Sequence, residues 1–228
     1  MSNSIFENTM VNMSWPEVDR AVKEGAIVLL PTGVIEEHGP HMTLGVDACL
    51  SYQACLMVKE ELAAAGIKAL LAPPFYWGMN NVTGSFPGSF TVRKETMKSL
   101  VYDILSSLKR WGVTHVFNIN WHDDLTHCST LLEAMNEARV ETGIRARSII
   151  SEMLAKRLGL SGKENHVLVY KTPSVANIPP KTLDIHGGAG ETGLMAHYFP
   201  EQVNENMAKT LPPTNLTMEE FALWRMGW

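Results

Sequence analysis

Five consecutive apolar residues, Ala26-Ile27-Val28-Leu29-Leu30, run straight into Pro31-Thr32-Gly33. A short, evenly apolar run cut off by proline and glycine predicts a buried strand that stops and opens into a loop. Strands buried on both faces belong to sheets with helices packed on each side.

The rest of the chain alternates accordingly. Ser14-Trp15-Pro16-Glu17 offers a capping serine and an early proline, predicting a helix to about Glu24. After the strand at Ala26–Pro31 comes an amphipathic helix, Asp47–Ala65, stopped by Gly66, and a strand, Ile67–Ala72, ended by Pro73-Pro74. A Gly-, Asn- and Ser-rich loop of about 17 residues runs through Ser89. Helices follow at Arg93–Trp111 and Thr126–Thr142, closed by Gly112 and Gly143, with strands at Val113–Asn118 and Ile144–Ile150. Ser151–Leu158 reads as a short helix, Leu160–Leu183 as irregular with Pro173, Pro179 and Pro180, and Gly190–Phe199 as the last main helix. The pattern predicts a single α/β domain over residues 1–228, a three-layer αβα arrangement around a mostly parallel sheet.

Composition narrows the partners. The 228 residues are 45% hydrophobic and 19% charged with a net charge of −5, an ordinary globular balance without the basic face that nucleic acid requires. No stretch approaches the roughly 20 apolar residues of a membrane-spanning helix. The N-terminus lacks the basic and apolar regions of a signal peptide, so a cytoplasmic setting is expected. Cys49, Cys55 and Cys128 are odd in number and not in CxxC spacing, which predicts reduced, mostly buried thiols and no thiolate metal site.

The chemistry lies just past the strands. In extended backbone, residues two apart point the same way, so Glu36 and His38 share a side while Glu37 faces the other. Asp47 follows nine residues after His38, and after another apolar run His122 and Asp124 repeat the two-apart pairing. These five side chains suffice as ligands for two divalent ions, and both pairs fall where ligands bind in parallel sheets, beyond the carboxyl ends of strands. Asp47 alone would also serve as a helix cap; beside Glu36-x-His38 the ligand reading is favoured. His41 is left between a structural and a catalytic role, Asp123 should point away from Asp124, and His115, His127, His166 and His197 are read as structural or surface residues.

With these residues in place the chain resembles the creatininase family, the creatinine amidohydrolases and their relatives. Pro31 to Asp47 is similar to the family's P-x-G-[ST]-x-E-Q-H-G-P-H block, Gly84-Ser85-Phe86-Pro87-Gly88-Ser89 to its F-P-G-T turn, Asn120 to Asp124 to its N-G-H block, and Asp184 to Gly193 to its D-x-H-A-G-x-x-E-T-S block. The four occur in order between residues 31 and 193. Glu37 stands where glutamine is usual, and Trp121 and Asp123 replace small residues, so the pocket must differ in shape.

The resemblance implies a creatininase-like fold, commonly hexameric, and a binuclear metal-dependent hydrolase. Two divalent ions (Zn, Mn or Fe) would be held by Glu36 and His122, by His38 and Asp124, and by Asp47 between them. A water shared by the ions would attack the carbonyl of a small cyclic amide or related substrate, with His186 as proton shuttle and Glu191 as the late acidic residue. Trp121, Ser85 and Tyr76 are the expected substrate contacts. Two other readings stand beside this amidohydrolase: hydrolysis of a C–C bond in a cyclic diketone derived from inositol, and a catalytically silent metal-binding relative.

Overall fold

A computed structural model describes residues 4–171, 186–212 and 217. Five strands, β1 (Ile27–Thr32), β2 (Ala69–Leu71), β3 (His115–Asn120), β4 (Arg145–Ser151) and β5 (Val167–Tyr170), form one sheet in the order β2-β1-β3-β4-β5. All four pairings are parallel. The helices are α1 (Trp15–Lys23), α2 (Val46–Ala64), α3 (Lys94–Arg110), α4 (Leu125–Thr142), α5 (Glu152–Arg157), α6 (Ala189–Tyr198) and the short α7 (Glu205–Ala208).

The first strand explains the layering. Val28 and Leu30 point to one face, where they pack with Val22 of α1, Met97, Val101 and Leu105 of α3, and Leu131 and Met135 of α4. Leu29 points to the other, packing with Leu50 and Cys55 of α2 and Met195 of α6. A strand sandwiched this way carries no polar alternation, which is why its sequence is a plain apolar run. The expected three-layer α/β architecture is therefore present. All three cysteines are buried and free. No helix among the described residues is long and apolar enough to cross a membrane.

Two expectations need correction. Val167–Tyr170 is a strand at the sheet edge, inside the stretch read as irregular; residues 172–183 of that stretch, with its three prolines, lie outside the described residues. Helix α2 is preceded by Gly45 as its cap, so Asp47 sits within the first turn and does not cap it. Gly33 makes this possible: a Cβ there would lie 2.7 Å from the Asp47 Cβ and 2.9 Å from its carbonyl carbon. The first turn of α2 thus rests directly on the end of β1.

Strand order reverses between β1 and β3, with β2 on one side and β4 on the other. Crossover connections leave β1 and β3 in opposite directions there, opening a crevice beyond their carboxyl ends. Both the Glu36-x-His38 segment and His122 emerge at that crevice.

Candidate metal centre

The fold gathers Glu36, His38, Asp47, His122, His186 and Glu191 into one group, the first four buried and the last two partly so. Three overlapping trios have ligand atoms within 4.8 Å of one another: Glu36, Asp47 and His122; His38, Asp47 and Glu191; and Glu36, His38 and His186.

Hydrogen bonding decides which atoms face inward. His122 Nε2 lies 3.1 Å from the Met79 carbonyl, which can only accept, so Nε2 carries a proton. Nδ1 then faces the Glu36 carboxylate at 2.9 Å and Asp47 at 3.1 Å. His38 repeats the arrangement with its nitrogens exchanged: Nδ1 is 3.2 Å from the Glu36 carbonyl, and Nε2 faces Asp47 at 3.3 Å and Glu191 at 3.8 Å. Imidazoles that donate one N–H to a backbone carbonyl and turn the other nitrogen on carboxylates have the form of metal ligands with their outer partners in place.

The buried His38 Nε2 and Asp47 Oδ2 have no well-aligned hydrogen bond. Such atoms are costly unless something positive lies between them. Charge preference says the same. Burial alone would depress the pKa of His38, yet hydrogen bonding to Asp47 and the carboxylates around it push it up to about 9. His122 is driven well above its usual value against the same burial penalty, by Asp47 and Glu36. Burial would raise Asp47, but the two imidazoles hold it far below the carboxylate range. All three shifts have the same meaning: the cluster favours positive charge among its carboxylates. The donor set of carboxylate oxygens and imidazole nitrogens fits a divalent metal ion.

A layer of hydrogen-bonded side chains holds the ligands from behind. Met79 N–H donates to His127 Nδ1, so His127 Nε2 donates to Asn120 Oδ1 at 3.1 Å. Asn120 in turn donates to the His122 carbonyl and accepts from Thr32 Oγ1. Burial pushes His127 well below its ordinary pKa, so it stays neutral in this structural role. The fit is close, since a Cβ on Gly78 would lie 2.2 Å from His127 Nδ1. Thr83 donates to Glu36 Oε2 at 2.5 Å. It is a contact that no local sequence signal marks.

His186 packs its ring 4.2 Å from that of His38. Its Nε2 bonds the Glu37 carbonyl and lies 3.6 Å from the Glu37 carboxylate, while Nδ1 lies 3.8 Å from Glu36 Oε1. Glu191 accepts from Gly187 N–H with one oxygen and turns the other toward His38. His41 bonds Thr192 Oγ1.

Three expected site residues are placed elsewhere. Asp124 caps α4, its Oδ1 accepting from Thr126 and His127 N–H at 2.7 and 3.0 Å and its Oδ2 from Asn81 N–H, and it joins none of the ligand trios. An aspartate directly before a helix was the available signal. Asp124→Ala is therefore expected to cost about 0.5–2 kcal/mol of stability while leaving metal content unchanged; loss of metal on elemental analysis would restore it as a ligand. Tyr76 packs at a tilt against Trp77 and lines a separate apolar cavity of about 1020 Å³ between α1 and α3. Ser85 is exposed on its loop, and Thr83, two residues earlier, makes the contact. Trp121 does line the cleft at the cluster, a space of about 370 Å³ whose lining includes Glu36, Asp47, His186 and Glu191 together with Trp121, Asp123, Tyr170 and Leu194.

A family model described as Creatininase, creatinine amidohydrolase, matches residues 11–228. The chain belongs to the creatininase family. It is a hydrolase of the creatininase type. The creatinine amidohydrolase of Pseudomonas putida is 28% identical over 93% of this chain and 79% of its own length. A mycofactocin precursor peptide peptidase of Mycolicibacterium smegmatis is 31% identical over 42% of this chain and 39% of its own. Among solved structures, a manganese form of creatininase superposes with a TM-score of 0.66 at 21% identity, covering 96% of this chain and 93% of that one. At that identity the likeness shows the creatininase fold, matching the parallel sheet described above.

Proposed function

We propose that this creatininase-family chain is a binuclear metal-dependent amidohydrolase acting on a small cyclic amide or a related small molecule. One divalent ion would be held by Glu36, Asp47 and His122, and a second by His38, Asp47 and Glu191, with Asp47 common to both. Zinc, manganese and iron all suit such donors. When bound, the ions supply Lewis acidity for activating a water and polarising a carbonyl.

The observation that carries this reading is the pair of buried imidazoles whose inward nitrogens face carboxylates while their outward nitrogens are spent on backbone carbonyls. The chain's own residues supply the rest. Thr83 occupies Glu36 Oε2 and so directs Oε1 into the cluster. His186, fixed through Nε2, holds Nδ1 on the cluster side, where it can pass a proton to a leaving nitrogen. Trp121 and Leu194 line the cleft and displace water from around a bound substrate. The names of the two curated relatives, an amidohydrolase and a peptidase, both describe cleavage of a carbon–nitrogen amide bond, which supports the amide reading over carbon–carbon hydrolysis.

Protein loaded with zinc or manganese is expected to hold a pair of ions per chain by elemental analysis. It should then hydrolyse members of a panel of lactams and formamides, with inososes as the comparison class and product mass as readout. Turnover of inososes alone, or stoichiometric metal with no turnover of any amide, would overturn the proposal.

A further inference from the structure

Two residues that line the cleft, Asp123 and Tyr170, have no part in the chemistry above. Trp121 and Asp123 flank His122 in the chain, and both line the cleft. Tyr170 at the end of β5 and Leu194 on α6 line it too. Asp123 keeps 55% of its side-chain surface open. Its one ion pair among the described residues, with Arg157 at 3.5 Å, engages a single oxygen and is longer than the roughly 2.7–2.9 Å of a close charge-assisted bond. Arg157 also donates to the Asp123 carbonyl, so it props the loop that carries His122, and it does not line the cleft itself. Among the described residues that line the cleft there is neither lysine nor arginine.

A carboxylate whose lone pairs are only partly used by the described residues therefore lines the same cleft as an indole and the candidate metal ligands. The metal end of the cleft suits a carbonyl oxygen and repels a cation. The Asp123 end does the opposite, because a carboxylate accepts N–H bonds and a tryptophan face attracts a positive group. We propose that Asp123 is the specificity residue of this cleft and that the substrate is an amide carrying a protonated amine, amidine or guanidine on the side away from the scissile carbonyl. Carboxylated amides are disfavoured. The proposal rests on the metal-centre reading for the orientation of the substrate.

The test uses zinc-loaded full-length protein and three hydroxamate probes that anchor on metal: benzohydroxamic acid and its para-aminomethyl and para-carboxy derivatives, with affinities from calorimetry. The aminomethyl probe is expected to bind about tenfold more tightly than the carboxy probe, with the parent between them, attraction and repulsion at a half-open carboxylate each contributing a few-fold. Asp123→Asn should shrink that gap to within about threefold without changing zinc content, and Asp123→Glu, which keeps the charge, should retain the order. Equal binding of the two charged probes by the wild type, or an unchanged order in Asp123→Asn, would overturn the assignment of Asp123 while leaving the metal centre standing. A protein that takes up no zinc and binds none of the probes would overturn both.

Discussion

His122→Ala is expected to weaken divalent-metal binding by more than about 100-fold, since even the loss of an outer partner of a ligand costs 10–100-fold. His122 offers its inward nitrogen to a space bounded by Glu36 and Asp47, and no other described histidine nitrogen lies within ion-pair range of both carboxylates through one atom, except His38 Nε2 at 4.0 and 3.3 Å. The two imidazoles are thus complementary, and His38→Ala should behave alike. The metal-free variants should also lose stability, because burial would leave Asp47 facing Glu36 with one positive partner fewer. Breaking a buried pair costs about 3–5 kcal/mol, within the roughly 5–15 kcal/mol a domain has available, so a folded protein is expected by circular dichroism. Full metal content in both variants, by elemental analysis after dialysis, would overturn the metal centre.

His186→Ala is expected to keep its metal and lose about 10²–10⁴-fold in turnover, the usual contribution of a positioned acid–base group. The geometry allows the opposite outcome, since His186 also completes a trio with Glu36 and His38. What separates the roles is how closely each inward nitrogen approaches a carboxylate of the cluster. His38 and His122 each turn a nitrogen on Asp47 at 3.3 Å or less, whereas the nearest cluster carboxylate to His186 Nδ1 is Glu36 at 3.8 Å. Loss of a metal equivalent in the variant would make His186 a ligand, and unchanged turnover would remove it from the reaction.

Much of this site was legible in the sequence because it depends on short-range geometry. Glu36 and His38 point together for the same reason that strand residues two apart always do, and the apolar run before them fixed the strand. The same logic failed at Asp124. After His122 the chain turns at once into α4, and a carboxylate at that point bonds the free N–H groups of the first turn in preference to reaching back into the cluster. Glu191 was readable as an acidic residue of interest, yet its approach to His38 joins segments far apart in the chain, which only tertiary packing brings together. Thr83 and Tyr76 fail in opposite ways for one reason: a long loop without regular structure gives no periodicity from which to read direction. Strand β5 is four residues long with an exposed edge, too short for a pattern to separate it from its surroundings.

The tight seating of His127 under Gly78 has a bearing on how such a protein can change over time. Three segments, ending β1, preceding α3 and following β3, are keyed to one another through Thr32, Met79, Asn120 and His127, so an altered side chain in any of them disturbs the other two. The side chains of Asp123, Tyr170 and Leu194 belong to no such lock; they are exposed at the rim of the cleft. Drift is therefore channelled to the rim. A lineage can exchange one substrate for another there, a residue at a time, while the reactive floor is inherited intact.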